Sequence, residues 1–302
     1  MKAHLSPRDL ALTLLVVVLW GFAFVLIKIA LREAGPFTLA AARFTFAALP
    51  MVFFVRRPAL PWRYVVGYGF AIGVLQFGFA FLGIHLGMPA GLSSIVMQMQ
   101  VFFTIGLAVL FTGDRLGRHQ YLAAGLATAG MVVLAGAKLA QGANATFFGF
   151  MLVLLGSLSW AIGNIIAKRG ATAYGADMFA LVVWSSLVPP LPLAALAYMF
   201  EGGSAAWDAL IGMSATGWAC VLFMSWAATL FGFGTWAALL HRYSVALISP
   251  FALLIPISGL VSGALVLGET LSPVQAVGAL LVFAGLATNV YGPRLLARLR
   301  KD

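Results

Sequence analysis

Residues 113–130, GDRLGRHQYLAAGLATAG, and residues 268–285, GETLSPVQAVGALLVFAG, share one skeleton. In each, a Gly is followed by an acidic residue and then a Leu: Gly113, Asp114 and Leu116 in the first, Gly268, Glu269 and Leu271 in the second. Gln120 and Gln275 come next at the same spacing, and Ala129-Gly130 and Ala284-Gly285 close the stretch. A second pair of marks agrees, because Trp20 precedes Lys28 by the interval at which Trp160 precedes Lys168. The two registers differ, so the second copy carries a modest insertion. A chain that repeats at about half its length is built from two related units.

The composition around the repeat identifies the solvent. Of 302 residues, 63% are hydrophobic and 9% charged, with a mean hydropathy of +1.04. A soluble domain carries about 25% charged residues, so most of this surface faces lipid. Apolar runs lie near 10–31, 37–55, 63–84, 91–111, 120–138, 147–168, 177–200, 214–240, 246–267 and 274–292. At about 1.5 Å per residue, about 20 residues cross a hydrocarbon core of about 30 Å. Turn chemistry separates the runs: Gly35-Pro36, Pro58 to Pro61, Gly87-Met88-Pro89, Gly113 with Gly117, Gly142, Gly170, Gly202-Gly203 and Ser272-Pro273. No soluble domain fits between them. The first run follows Lys2 and Arg8 but is longer than the roughly 7–15 apolar residues of a signal peptide, and it is read as a retained helix.

The net charge of +10 is dispersed in short segments between the runs, as orientation signals are, and no basic cluster interleaved with aromatics suggests a nucleic-acid partner. With the N-terminus in the cytoplasm, Lys2, Arg8, Arg56, Arg57, Arg63, Arg115, Arg118, Lys168, Arg169, Arg242, Arg294, Arg298, Arg300 and Lys301 fall inside; Lys28, Arg32 and Lys138 fall outside. Both termini are therefore expected to be cytoplasmic, with an even number of spans. The single cysteine, Cys220, excludes a disulfide framework and a multi-Cys metal site.

Ten spans divided between two copies give five each. An odd number forces the second copy to enter the bilayer upside down, an inverted repeat whose cargo site lies near the midplane. The expected fold is an all-α membrane protein of ten transmembrane helices, two inverted five-helix repeats around a central cavity. The expected units are 1–140 and 146–293, followed by a basic cytoplasmic tail at 294–302.

The paired Trp and Lys and the Gly-acidic-x-Leu, Gln and Ala-Gly marks resemble the drug/metabolite transporter superfamily, in its tandem EamA-type form, over nearly the whole chain. Within that group the layout is most similar to the YddG-type amino-acid exporters of bacterial inner membranes. The resemblance implies a ten-helix carrier that exports amino acids or similar metabolites without a cofactor.

The carboxylates Asp9, Glu33, Asp114, Asp177, Glu201, Asp208, Glu269 and Asp302 all avoid the middle of a span. Buried charge in a bilayer is retained chiefly where it binds something. Lys28, Arg43 and Lys168 are read as lying near span ends, so the cavity is expected to hold no ionic charge at mid-depth. A small zwitterionic cargo, moved by facilitated diffusion or exchange, fits that expectation. Small multidrug pumps of the same superfamily use a buried Glu in the first helix, and none stands there. Proton-coupled drug or metabolite efflux, and a non-carrier channel or scaffold, are the alternatives. No reactive constellation of an enzyme is present, and no metal is expected.

The cavity candidates are Trp20, Phe24, Gln76, Phe77, Gln98, Trp160, Asn164, Ser225, Trp226 and Ser249: aromatic faces for an apolar group or an ammonium, and amides or hydroxyls able to hydrogen-bond a polar one. Pro89 and Gly91 at the start of the fourth span, and Pro250 and Pro256 in the ninth, are the hinge or gate candidates. Lys28 and Lys168 are expected to snorkel, and Asp114 and Glu269 to organise the loops that hold them. The expected partners are the lipid bilayer and a small-molecule substrate; the oligomeric state is open, and a monomer is compatible.

Overall fold

The computed structural model describes residues 6–112, 117–140, 144–243, 248, 251–252 and 254–299. Among them, nine helices are long and apolar enough to cross a membrane, and a tenth apolar helix is shorter. In chain order they are α1 (Pro7–Ala30), α2 (Pro36–Phe53), α3 (Trp62–His85), α4 (Ala90–Leu107), α5 (His119–Ala137), α6 (Phe147–Tyr174), α7 (Met178–Phe200), α8 (Ala215–Trp236), α9 (Leu254–Leu267) and α10 (Pro273–Gly292). No strand occurs among the described residues.

Local chemistry sets the helix starts. Ser6 caps α1 by accepting the Asp9 N–H at 3.1 Å, and Pro7 occupies the first turn, where a missing N–H costs nothing. Asp177 caps α7 through the Phe179 N–H at 2.9 Å, and Ser214 caps α8 through the Gly217 N–H at 3.1 Å. The break expected at Gly170 does not occur; α6 runs on to Tyr174 and the chain turns at Gly175, whose φ of +61° suits a residue without a side chain. Helix α10 extends to Leu299, so the backbone of the basic segment is helical as far as that residue.

The repeat is visible in the packing. Helix α1, first of its half, packs on α8 and α9 of the other half, while α6, first of the second half, packs on α3 and α4. Two further pairs close the exchange, α2 with α7 and α5 with α10. The last pair approaches closely because Gly130 and Gly278 face one another; a Cβ on Gly130 would lie 2.6 Å from the Gly278 carbonyl oxygen.

Matching irregularities mark the matching helices. The third span of each half contains a π-helical segment, Gly69–Gln76 in α3 and Phe223–Phe231 in α8. One span of each half, α2 in the first and α8 in the second, is met at its outset by a carboxylate of the opposite half. Glu201, just beyond α7, accepts the Phe37 and Thr38 N–H groups at 2.6 and 3.0 Å at the start of α2. Glu33, just beyond α1, accepts the Ser214 N–H and hydroxyl, both at 2.7 Å, at the start of α8. An anion at a helix N-terminus meets unsatisfied N–H groups and the positive end of the dipole, and the Ser214 hydroxyl, then its N–H, hold the Glu33 carboxyl below its ordinary range. The insertion falls between α7 and α8, where a short helix, Ala205–Ile211, has no counterpart between α2 and α3.

Candidate functional site

The helices exchanged between halves, α1, α3, α4, α6, α8 and α9, leave a cavity of about 1110 Å³ at the centre. Trp20 from α1, Gln98 from α4, Trp160 and Asn164 from α6, and Phe233 and Trp236 from α8 line it. It reaches the surface beside Gly175 and Asp177 at the α6–α7 connection, both of them exposed. A narrower chamber of about 60 Å³ continues it inward, sharing Trp20, Gln98, Trp160 and Phe233 and adding Phe24, Arg43, Gln76, Phe77 and Ser94. The pair therefore forms a wide, open-ended room with a small, mostly apolar one behind it that Arg43, Gln76, Ser94 and Gln98 also border.

Aromatic contacts hold the wide room in shape. Trp20 packs on Phe233 and on Trp236, each at 5.2 Å between ring centres, and donates its indole N–H to the Ala228 carbonyl at 2.8 Å. That carbonyl belongs to the π-helical segment of α8. Helix α4 is interrupted at Gln98 and Met99, between Ala90–Met97 and Gln100–Thr112. From this interruption Gln98 donates to the Ala252 carbonyl at 3.1 Å, which joins α4 to the approach to α9. Asn164 donates to Gln100 Oε1 at 2.8 Å and to Thr104 Oγ1 at 3.2 Å, joining α6 to α4. Interhelical bonds of this kind contribute roughly 0.6–2 kcal/mol each.

The opposite end is closed. Lys28, at the end of α1, donates to Glu269 Oε1 at 2.7 Å, and Glu269 also accepts the Ala90 and Gly91 N–H groups, each at 2.9 Å. Glu269 thus clamps the start of α4 to the loop after α9 and to α1. Burial would raise its pKa, but the Lys28 hydrogen bond, the Gly91 and Ala90 N–H groups and the Lys28 charge together outweigh this and hold the carboxyl below its ordinary range. Lys28 is therefore ion-paired rather than snorkelling, and Glu269 does more than order its own loop. A Cβ on Gly91 would stand 3.0–3.1 Å from Leu260, a tight contact that Leu260 would have to relieve by a few tenths of an ångström.

Several sequence expectations land elsewhere. Ser225 is fully buried but donates to the Arg43 and Val221 carbonyls, both at 2.8 Å, and lines neither room. Trp226 is 47% exposed on the outer surface and donates to the Phe46 carbonyl at 3.0 Å, away from the cavity. Pro89 directly precedes α4, and Pro256 is buried in the first turn of α9, its carbonyl 3.4 Å from the Ser94 hydroxyl. Ser249, Pro250 and Asp114 lie outside the described residues.

The main departure is Arg43. It lies at the middle of α2 and is 3% exposed, so a permanent charge does stand at mid-depth. Its guanidinium donates to Thr229 Oγ1 at 2.9 Å and sits 3.8 Å from the centre of the Phe77 ring. Its position seven residues into a span of about twenty was the available signal. Tyr68 and Phe233 were missed because apolar and aromatic residues occur on every side of these helices. Among the described residues no group of three or more His, Cys, Asp or Glu could hold a metal ion.

Comparison with known proteins agrees with this architecture. A solved crystal structure superposes with a TM-score of 0.65 over 98% of each chain at 18% identity, a likeness of fold alone. Two bacterial proteins, from Salmonella typhimurium and Escherichia coli, are 42% and 40% identical to this chain over 96% of it and 97% of their own lengths; each bears the name probable amino-acid metabolite efflux pump. An inner membrane transporter of Escherichia coli, not characterised further, is 24% identical over 85% of this chain and 82% of its own. The EamA-like transporter family matches residues 9–136 and again 147–291, one match for each half of the fold. The chain is a multi-pass integral membrane protein and belongs to the EamA-like transporter family.

Proposed function

We propose that this protein is a bacterial inner-membrane carrier that exports amino acids or similar small zwitterionic metabolites by alternating access, as a facilitator or exchanger, with both termini in the cytoplasm. The observation that carries this reading is a cavity open at the α6–α7 connection and sealed at the other end by Lys28, Glu269 and the start of α4. The positive-inside distribution supports an open end toward the cytoplasm, where an exporter collects its cargo. The names of the two relatives near 40% identity support amino-acid metabolites as the cargo class.

Two halves of opposite orientation supply the motion. The pairing of α1 with α8 and α9 recurs as that of α6 with α3 and α4, which supports one half rocking against the other to exchange the closed end for the open one. Trp20, Trp160, Gln98 and Asn164 surround the cargo on this reading, the aromatic faces meeting its apolar part. The contacts among described residues that line the rooms contain one carboxylate, Asp177, at the mouth. That supports facilitated or exchange transport over coupling through a buried proton carrier.

Purified protein in liposomes tests the reading. Labelled amino acid should enter in a saturable manner, accelerated by unlabelled amino acid on the far side. Nonsaturable ion conductance would instead indicate a channel, and no movement of any amino acid would remove the carrier reading.

A further inference from the structure

Arg43 and Gln76 are each 3% exposed, and both line the narrow inner chamber. Each also has one unused hydrogen-bonding atom: the Arg43 Nε–H finds no acceptor, and Gln76 Oε1 finds no donor. No carboxylate among the described residues pairs with Arg43, whose neighbours are the Thr229 hydroxyl and the faces of Phe77 and Phe44. A guanidinium deep in a membrane protein without a counter-ion is expensive, and such groups are kept where they bind.

Irregular helix segments stand next to both groups. Gln76 ends the π-helical segment of α3, and Thr229 lies within that of α8, donating to the Met224 carbonyl at 2.9 Å while accepting from Arg43. π-Helical segments commonly mark functional positions because they turn side chains out of the regular helical register. Here Thr229 of one segment and Phe77, directly after the other, both contact one arginine.

We propose that Arg43 and Gln76 form the head-group site of the carrier, Arg43 binding the substrate carboxylate and Gln76 Oε1 its α-ammonium. An unused donor on a cation and an unused acceptor, on two residues that line one chamber, are the complement of a zwitterionic amino acid. The wide room of Trp20, Trp160 and Phe233 then receives the side chain, and its breadth accommodates side chains of different shape. A free carboxylate is the required feature: amines, carboxamides and lipophilic cations leave Arg43 unpaired and are rejected. This rests on the carrier reading but predicts something that reading does not, namely which end of the cargo is recognised.

The test uses the full-length protein in two formats. In detergent, thermal stabilisation is measured with proteinogenic L-amino acids, their carboxamides and the corresponding decarboxylated amines. In liposomes, the same compounds compete against counterflow of labelled amino acid. The expected result is stabilisation and competition by the free acids, with carboxamides and amines weaker by roughly a hundredfold or more, the scale for unpairing a buried charge. Arg43→Gln should abolish the discrimination, Arg43→Lys should restore part of it, and Gln76→Leu should weaken acids without improving carboxamides. Equal recognition of acid and carboxamide by the wild type overturns the proposal even if every variant misfolds. Counterflow that is unaltered in Arg43→Gln overturns it while leaving the carrier intact. If the wild type transports no amino acid, acid-selective stabilisation still supports the head-group site and its absence removes both.

Discussion

Glu269 joins three parts of the closed end through one carboxylate, and its depressed pKa fixes how that end responds to pH. A carboxyl whose folded pKa lies below its ordinary value contributes stability that is complete above that ordinary value and is lost as pH falls through the folded one. Between about pH 6 and 8 the clamp is therefore fully formed. Glu269→Gln should loosen the closed end at every pH, lowering the melting temperature by a few degrees and raising the reactivity of a cysteine placed at Ser94 toward a membrane-impermeant thiol reagent. A pH dependence between about 6 and 8 that disappears in Glu269→Gln would contradict this assignment. In the wide room, Trp20→Ala removes two aromatic contacts and the bond to Ala228 and should reduce counterflow about tenfold or more with normal membrane insertion; unaltered flux would show that the cargo does not pass Trp20. The Trp and Lys marks were legible because they repeat. The direction a side chain faces is not: with apolar residues all around each helix, no polar stripe tells the lipid side from the cavity side, so the sequence alone points to Trp226 and Ser225 as cavity residues and to Arg43 as a span-end charge.

At the scale of elements, hydropathy and Gly-Pro punctuation placed the ends of most helices because both are local properties. Interruptions inside the helices escaped notice. Nothing in Gly69–Gln76 or Phe223–Phe231 alone distinguishes a π-helical segment from an α-helix, and both segments pack against helices distant in sequence. The same applies to Lys28 and Glu269, which form an ion pair from opposite ends of the chain. The α5–α10 pair lies apart from both rooms and offers a contrast with them. Gly130→Val would drive a side chain into the Gly278 carbonyl and Val282 and should reduce folded yield severalfold, measured by size-exclusion chromatography, while any protein that does fold retains its substrate preference. A change of preference with full yield would mean that this pair contributes to the site.

For the whole molecule, the sequence repeat and the odd number of spans in each half were sufficient to infer two halves of opposite orientation. The exchange of partners between halves, α1 with α8 and α9 against α6 with α3 and α4, is the structural form of that repeat. Alternating access requires the closed end to open in every transport cycle. The direct measurement is counterflow through a protein in which Lys28→Cys and Glu269→Cys, in a Cys220→Ser background, are joined by a short reducible bis-methanethiosulfonate. The account predicts that cross-linking stops counterflow, that reduction restores it, and that amino acids still stabilise the locked protein from the open side. Full counterflow with the cross-link in place would contradict it.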